Sequence, residues 1–252
     1  MDLGLKGKKA VVTGGTRGIG RAIAEALAAE GVHVAVCARH ANEVDETVAA
    51  LKARGVNACG AAVDISQGEA YQAWIAAAAA ELGGIDIFVA NVSAGGGMGE
   101  DAWRANFETD LLGTTRGIDA ALPALKASGA GSIVVISSTA AVETFIAPQP
   151  YNAIKAALIT HAKQLSQALA TDGIRVNCVS PGPVYFPGGA WEYIQNNVAE
   201  LYASTMAQIP RGSMGTPAEV ANAVVFLASP AASLITGVNL VADGGFTKRV
   251  QL

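Results

Sequence analysis

Near its N-terminus the chain places an apolar strand, a glycine-rich turn and a helix in immediate succession, an arrangement that few folds accommodate. The strand is predicted over Ala10–Thr13, the turn runs from Gly14 to Gly20, and an alanine-rich helix follows over Arg21–Glu30. Glycines let the backbone turn tightly and approach a ligand, and the helix start presents unpaired amides at its positive dipole end. The pattern favours a pyrophosphate cradle over a plain turn.

Strands and helices alternate along the rest of the sequence. Further strands are predicted over residues 32–37, 56–63, 85–90, 131–136, 174–179 and 237–241, with helical periodicity between them. This order predicts an α/β fold, a doubly wound parallel sheet of Rossmann type with about seven strands and helices on both faces. The chain has 252 residues, 51% hydrophobic and 15% charged, which fits a single dinucleotide-binding domain over residues 1–252.

The charge pattern narrows the class of partner and the compartment. The formal net charge is −4 and no block of lysines and arginines is long enough to neutralise nucleic acid, so we expect a small-molecule partner. Residues 1–9 do not resemble a secretory signal, and no apolar stretch resembles a membrane span. These features predict a cytoplasmic protein that binds neither nucleic acid nor membrane.

The cysteines and histidines form no motif. Three cysteines stand far apart, without metal-ligand or Cys-x-x-Cys spacing, and the three histidines are equally scattered. Buried, reduced thiols are therefore expected, and no metal site is predicted.

A serine pair, a tyrosine and a lysine form the strongest candidate for chemistry. Ser137 and Ser138 follow the strand that ends at Ile136, where open α/β sheets place their ligands. Tyr151 begins a helix, and Lys155 lies on the same helix face. An adjacent ammonium stabilises a phenolate, so the tyrosine can exchange a proton with an alcohol or carbonyl, while Ser138 can hydrogen-bond the same oxygen. By themselves, a tyrosine at a helix start and a lysine one turn later more often form a solvent-exposed edge of the helix.

The residues after the second strand indicate which dinucleotide is bound. An acidic residue at this strand end would bind ribose hydroxyls, whereas a cation there suits the additional phosphate of NADP. Ala38 and Arg39 occupy the position, and Arg17 lies in the glycine turn as a second phosphate partner. NADPH is therefore favoured over NADH, with two merely solvated arginines as the alternative.

Three other strand ends contribute candidate residues. Asp64 can accept a hydrogen bond from the adenine amino group or cap the following helix. Asn91 follows the fourth strand and precedes a glycine-rich loop that is expected to border the site. Residues 184–213 form an aromatic-rich insertion, which predicts a lid over an apolar substrate or, as an alternative, a dimer contact.

Together these residues make the chain resemble the classical short-chain dehydrogenases/reductases over nearly its whole length, closest to the 3-oxoacyl-(acyl-carrier-protein) reductase-like members. Thr13-Gly14-x-x-x-Gly18-x-Gly20 matches the cofactor turn of that family, and Ser138 stands thirteen residues before Tyr151-x-x-x-Lys155. Pro181-Gly182 matches the nicotinamide-side loop, and the segment from Gly215 to Asp243-Gly244-Gly245 resembles the C-terminal portion of the family.

The resemblance implies NADPH-dependent reduction of a ketone or 3-oxoacyl thioester, and a homotetramer. Tyr151 would donate the proton, Ser138 would polarise the carbonyl, and Lys155 would assist Tyr151 and bind the nicotinamide ribose. The implied catalytic residues are Ser138, Tyr151, Lys155 and Asp110. The implied cofactor-binding residues are Gly14, Thr16, Arg17, Gly18, Ile19, Gly20, Arg39, Asp64, Ile65, Asn91, Tyr151, Lys155, Pro181, Gly182 and Val184.

The chain departs from the family pattern at three positions. The family's Asn-Asn-Ala-Gly reads Ala90-Asn91-Val92-Ser93, so only Asn91 is carried over. The fourth catalytic residue of the family, an asparagine, falls on Asp110, and we hypothesise that Asp110 supports the proton relay. The usual threonine after Pro-Gly is replaced by Tyr185 or Phe186, which removes an expected hydrogen bond to the nicotinamide carboxamide.

Two other functions are compatible with these motifs. One is an NAD-linked alcohol or sugar dehydrogenase that works in the oxidative direction. The other is a non-catalytic nucleotide sensor or scaffold, against which the joint presence of Ser138, Tyr151 and Lys155 argues. The sequence does not identify the substrate, because fold and motif determine the reaction type and not the specificity.

Overall fold

The computed structural model describes residues 2–250, which contain one parallel sheet of seven strands in the order β3-β2-β1-β4-β5-β6-β7. The strand order and the parallel pairing confirm the predicted Rossmann-type sheet. The strands are β1 Lys9–Thr13, β2 His33–Ala38, β3 Ala58–Ala62, β4 Ile87–Ala90, β5 Ser132–Ile136, β6 Arg175–Pro181 and β7 Asn239–Ala242.

Nine α-helices are present within the described residues. They are α1 Gly18–Ala29, α2 Ala41–Lys52, α3 Gly68–Leu82, α4 Glu100–Asn106, α5 Gly113–Ala127, α6 Pro150–Ala168, α7 Ala190–Asn197, α8 Ala199–Gln208 and α9 Pro217–Ala228. None of the helices in residues 2–250 has the length and apolarity needed to cross a membrane.

The core consists of two layers, one on each face of the sheet. Val12 packs with residues of α1, α2 and α9, whereas its neighbour Val11 packs with residues of α3, α5 and α6. Successive strand residues point to opposite faces, so both must be apolar when helices cover both sides. This requirement explains why the strands read as continuous apolar runs instead of alternating patterns.

The strand order reverses at β1, which pairs with β2 on one side and with β4 on the other. The connections that leave these strands diverge to opposite faces, and a crevice opens at their carboxyl ends. The turn after Thr13, the residues after Ala38 and the loop after Ala90 therefore meet at one edge of the sheet.

Residues 100–127 are helical throughout but do not form one regular α-helix. A π-helical segment, Phe107–Leu112, separates α4 from α5. Pro123 lies inside α5 without ending it. Gly117 is required by packing, because a Cβ there would collide with the hydroxyl of Tyr71 and the ring of Phe88. The sequence pattern missed the π segment because a single-turn widening does not alter the apolar spacing on either side.

Residues 184–213 contain α7 and α8. Three of their aromatic residues, Tyr185, Trp191 and Tyr202, pack in a cluster with Phe145 and Phe246. The ring of Phe145 meets that of Phe246 edge to face, with centroids 5.2 Å apart. The insertion therefore packs against the C-terminal segment and the loop that precedes α6.

The three thiols are expected to resist alkylation in the folded protein. Cys37, Cys59 and Cys178 are free and buried, and burial raises the pKa of each to about 12. At pH 8 only about one thiol in ten thousand would be ionised at such a pKa, and the thiolate is the reactive form. Mass spectrometry after iodoacetamide treatment should show no labelled cysteine in buffer and three in urea. Rapid labelling in buffer would contradict the described burial.

Candidate active site

A cleft of about 550 Å³ lies at the carboxyl ends of β1, β2 and β4. Its walls come from the glycine turn, the residues after β2 and β3, the loop after β4, and the π segment. The lining residues are Gly14, Thr16, Arg17, Ile19, Gly20, Cys37, Ala38, Arg39, His40, Glu43, Val63, Asp64, Ile65, Asn91, Val92, Ser93, Ala94, Ala105, Thr109 and Phe186.

The glycine turn forms a cradle that only glycine can build. Gly14 has a φ of +63°, and a Cβ at Gly20 would collide with the carbonyl oxygen of Gly14. Asn91 braces the turn by donating from Nδ2 to the carbonyls of Thr13 and Gly14, at 3.1 and 3.2 Å. No side chain caps the start of α1. The close backbone approach and the uncapped helix start fit the pyrophosphate of a dinucleotide.

Two arginines in the cleft wall have no protein partner in the part of the chain that the structure describes. Arg17 and Arg39 are exposed, and neither guanidinium makes an ion pair or hydrogen bond within residues 2–250. Every other arginine of that part of the chain has a hydrogen-bond partner. Two unpaired guanidinium groups beside one cleft fit an anionic ligand such as a phosphate.

Asp64 lies in the cleft wall but does not cap α3. Its Oδ1 accepts from the backbone nitrogen of Ser66 at 3.0 Å and from the Ser66 hydroxyl at 2.8 Å. The N-cap of α3 is Gln67, which has no side-chain cap bond. The helix-cap alternative for Asp64 is therefore wrong, because the carboxylate closes the turn that precedes the helix.

Lys155 and Asp110 form an ion pair in the protein interior. Lys155 Nζ lies 3.0 Å from Asp110 Oδ1, and the two side chains are 2% and 0% exposed. Lys155 also donates to the carbonyl of Ile136 at 3.1 Å, and Asp110 Oδ2 accepts from the backbone nitrogen of Ala94 at 2.7 Å. The ammonium lies 5.7 Å from the ring centroid of Tyr151. The structure thus brings Tyr151, Lys155 and Asp110 together, as the resemblance implied.

The two serines of the pair have different environments. Ser137 is buried and donates to the carbonyl of Lys155 at 2.9 Å, which fixes the first turns of α6. Ser138 is half-buried, and its hydroxyl accepts from the backbone nitrogen of Ala140 at 3.2 Å. No hydrogen bond joins Ser138 to Tyr151 in residues 2–250. Their convergence on one substrate oxygen therefore stays a prediction.

The segment after β6 packs against both the core and the glycine turn. Gly182 lies tightly against Asp243, and Val184 is buried in the core layer of α1 and α9. Phe186 lines the cleft, and its ring lies against Gly18, where an added Cβ would be 2.5 Å from Cζ. Phe186 therefore faces the cofactor cleft while Tyr185 packs in the aromatic cluster. A phenyl ring cannot replace the missing threonine as a hydrogen-bond donor.

Nine of the predicted cofactor residues line the cleft: Gly14, Thr16, Arg17, Ile19, Gly20, Arg39, Asp64, Ile65 and Asn91. The other six lie outside its wall: Gly18, Tyr151, Lys155, Pro181, Gly182 and Val184. The sequence interpretation missed Glu43 as a lining residue. Its position could have been predicted from the sequence, because Glu43 lies in the first turn of the helix that begins just after Arg39. The start of that helix adjoins the strand end where the ligand was expected.

Comparisons with known proteins agree with this geometry. A family model described as enoyl-(acyl carrier protein) reductase matches residues 14–247. The isoepoxydon dehydrogenase of Penicillium expansum is 38% identical over 250 residues, which cover 97% of this chain and 96% of that protein. Dehydrogenase/reductase SDR family member 4 of Oryctolagus cuniculus is 35% identical over 254 residues, covering 98% and 96%.

A solved structure shares the whole architecture. The crystal structure of L-sorbose reductase from Gluconobacter frateurii, complexed with NADPH and L-sorbose, superimposes with a TM-score of 0.90. Its sequence is 32% identical, and the match covers 99% of this chain and 100% of that one. The family match, the relatives and the cleft all identify an NAD(P)-dependent oxidoreductase of carbonyl or alcohol groups. The chain belongs to the classical short-chain dehydrogenase/reductase family.

Proposed function

We propose that the protein reduces a ketone to a secondary alcohol with NADPH, and that Tyr151 donates the proton. The observation that carries this proposal is the grouping of Tyr151, Lys155 and Asp110 next to a cleft: Asp110 binds the lining residue Ala94, and the cleft wall also contains Arg17 and Arg39, which have no partner within residues 2–250. A nucleotide-binding scaffold without chemistry would have no need of a buried ammonium next to a tyrosine, because burying a charge is costly.

In this mechanism a dinucleotide held by the glycine turn would supply, when bound, the hydride that reduces the carbonyl carbon. The oxygen receives its proton from the Tyr151 phenol, so the products are a secondary alcohol and a transient phenolate. Ser138 donates a hydrogen bond to the same oxygen, which polarises the carbonyl and fixes its position. Lys155, held by Asp110 and Ile136, stabilises the phenolate and binds the nicotinamide ribose. Asp110 maintains that orientation of the lysine.

Arg17 and Arg39 support the choice of NADPH. Both line the cleft, and neither has a protein partner within residues 2–250. The adenosine ribose of NADPH carries a phosphate that a guanidinium group can bind through two hydrogen bonds. L-sorbose reductase, whose structure is similar, was crystallised with NADPH.

We favour a small oxygenated ketone over a long acyl thioester as the substrate. The aromatic cluster packs α8 against the C-terminal segment, through Tyr202 and Phe246. A separate cavity of about 50 Å³ beside it is lined by polar residues, among them Thr139, Glu143, Thr144 and Gln208, but by none of Ser138, Tyr151 and Lys155. The ligand of the similar L-sorbose reductase is a ketose. We infer that residues 184–213 act as a lid over a small oxygenated substrate.

Activity should depend on Tyr151 far more than on the charge of Asp110. Oxidation of NADPH, followed at 340 nm against a panel of ketoses, cyclic ketones and 3-oxoacyl thioesters, should identify a substrate. Tyr151→Phe should lower kcat by about 10²–10⁴-fold because the proton donor is lost. Asp110→Asn should stay within about tenfold of the wild type, because an asparagine oxygen can still accept from the backbone nitrogen of Ala94.

Two outcomes would contradict this account of catalysis. One is the absence of turnover with every carbonyl compound, which would favour a non-catalytic protein. The other is a loss of kcat in Asp110→Asn as large as that in Tyr151→Phe. Asp119→Asn is the matched control, because it makes the same change on an exposed part of α5.

Removing the Arg39 guanidinium should weaken NADPH binding selectively. Arg39→Ala should raise the Kd for NADPH about tenfold and leave the Kd for NADH within about twofold, because a charge-assisted bond to the phosphate is lost. Calorimetric titration of both nucleotides into the purified protein measures this effect. Arg104→Ala, which removes an exposed arginine paired with Glu100, is the control. A preference for NADH in the wild type would support the NAD-linked alternative.

A further inference from the structure

Glu43 places a carboxylate in the wall of the cofactor cleft. It lies in the first turn of α2, is half-buried, and lines the cleft together with Arg17 and Arg39. Its Oε2 accepts a hydrogen bond from the Thr16 hydroxyl of the glycine turn at 2.9 Å. Within residues 2–250 its carboxylate forms no ion pair.

Asp64 is the other carboxylate of the cleft wall, and it differs from Glu43 in its bonding. Asp64 Oδ1 accepts both hydrogen bonds that Ser66 donates, from its backbone nitrogen and from its hydroxyl, while no hydrogen bond reaches Oδ2 within residues 2–250. Within residues 2–250, the side chain of Glu43 accepts one hydrogen bond, from the neutral hydroxyl of Thr16. Glu43 Oε1 therefore remains free to accept, in the same cleft wall that contains Arg17 and Arg39.

The charge of Glu43 acts on the two nucleotides in opposite ways. NADPH carries a phosphate of about two negative charges at physiological pH on its adenosine ribose, and a carboxylate in the same cleft repels it over several ångströms. NADH carries hydroxyl groups there, which can donate to a free carboxylate oxygen. Arg17 and Arg39 thus favour the phosphate, while Glu43 opposes it.

We propose that Glu43 is a specificity-determining residue that narrows the preference for NADPH created by Arg17 and Arg39. This inference rests on the proposed function, because it presupposes that the adenosine end of the dinucleotide lies at these residues. It implies that the ratio of NADPH affinity to NADH affinity is smaller than it would be in a cleft that contained Arg17 and Arg39 without Glu43.

Glu43→Gln removes the negative charge at residue 43 while nearly preserving the shape of its side chain. The glutamine oxygen can still accept from Thr16, so the glycine turn should retain its position. Glu46→Gln is the matched control, since Glu46 stands one turn further along α2 and is exposed outside the cleft wall. The experiment titrates NADPH and NADH separately into the wild type and both variants, and the Kd values come from calorimetry.

In Glu43→Gln the Kd for NADPH should fall about three- to tenfold, and that for NADH should stay constant or rise. The gain in affinity for NADPH should be smaller at about 500 mM salt than at about 50 mM, because salt screens the repulsion between the carboxylate and the phosphate. An unchanged ratio of the two Kd values, or an equal shift in Glu46→Gln, would overturn the inference while leaving the proposed function intact. If the wild type bound neither nucleotide, the proposed function would itself fail.

Discussion

The buried ion pair between Lys155 and Asp110 connects the parts of the chain that form the site. Lys155 extends from α6 to the carbonyl at the end of β5, and Asp110 extends from the π segment to the backbone of Ala94. Burying two charges is costly, and the attraction between them offsets that cost only when the geometry is good and the remaining polar atoms are bonded. Partners at Ile136 and Ala94 meet much of this requirement. Four segments are thereby held in one arrangement.

The π segment is the local structure that makes this pair possible. It lies between α4 and α5, and Asp110 is its one buried carboxylate. One turn earlier, Asn106 donates to the carbonyl of Gly95 at 3.1 Å and to that of Ala102 at 2.9 Å. The loop after β4 is therefore held at Ala94 by Asp110 and at Gly95 by Asn106. Widened helical turns are frequent at functional sites, and here the turn serves to bind a loop beside the cleft.

Motifs with a strict geometric requirement could be predicted from the sequence. The glycine turn was recognisable because Gly14 and Gly20 tolerate no side chain and stand between a strand and a helix. The parallel sheet followed from continuous apolar strands separated by helices. Contacts between distant segments could not be predicted in the same way. The π segment leaves the apolar spacing unchanged, and the bond from Thr16 to Glu43 joins two residues that only the folded chain brings together.

The central claim is that Lys155 and Asp110 are energetically coupled in the folded protein. A double-mutant cycle with Asp110→Leu and Lys155→Met, followed by urea unfolding, measures that coupling directly. Each single variant should lose about 3–5 kcal/mol of unfolding free energy, because it leaves an unpaired charge buried. The double variant should lose clearly less than the sum of the two. Additivity within about 0.5 kcal/mol would contradict the claim, because independent sites add to that precision.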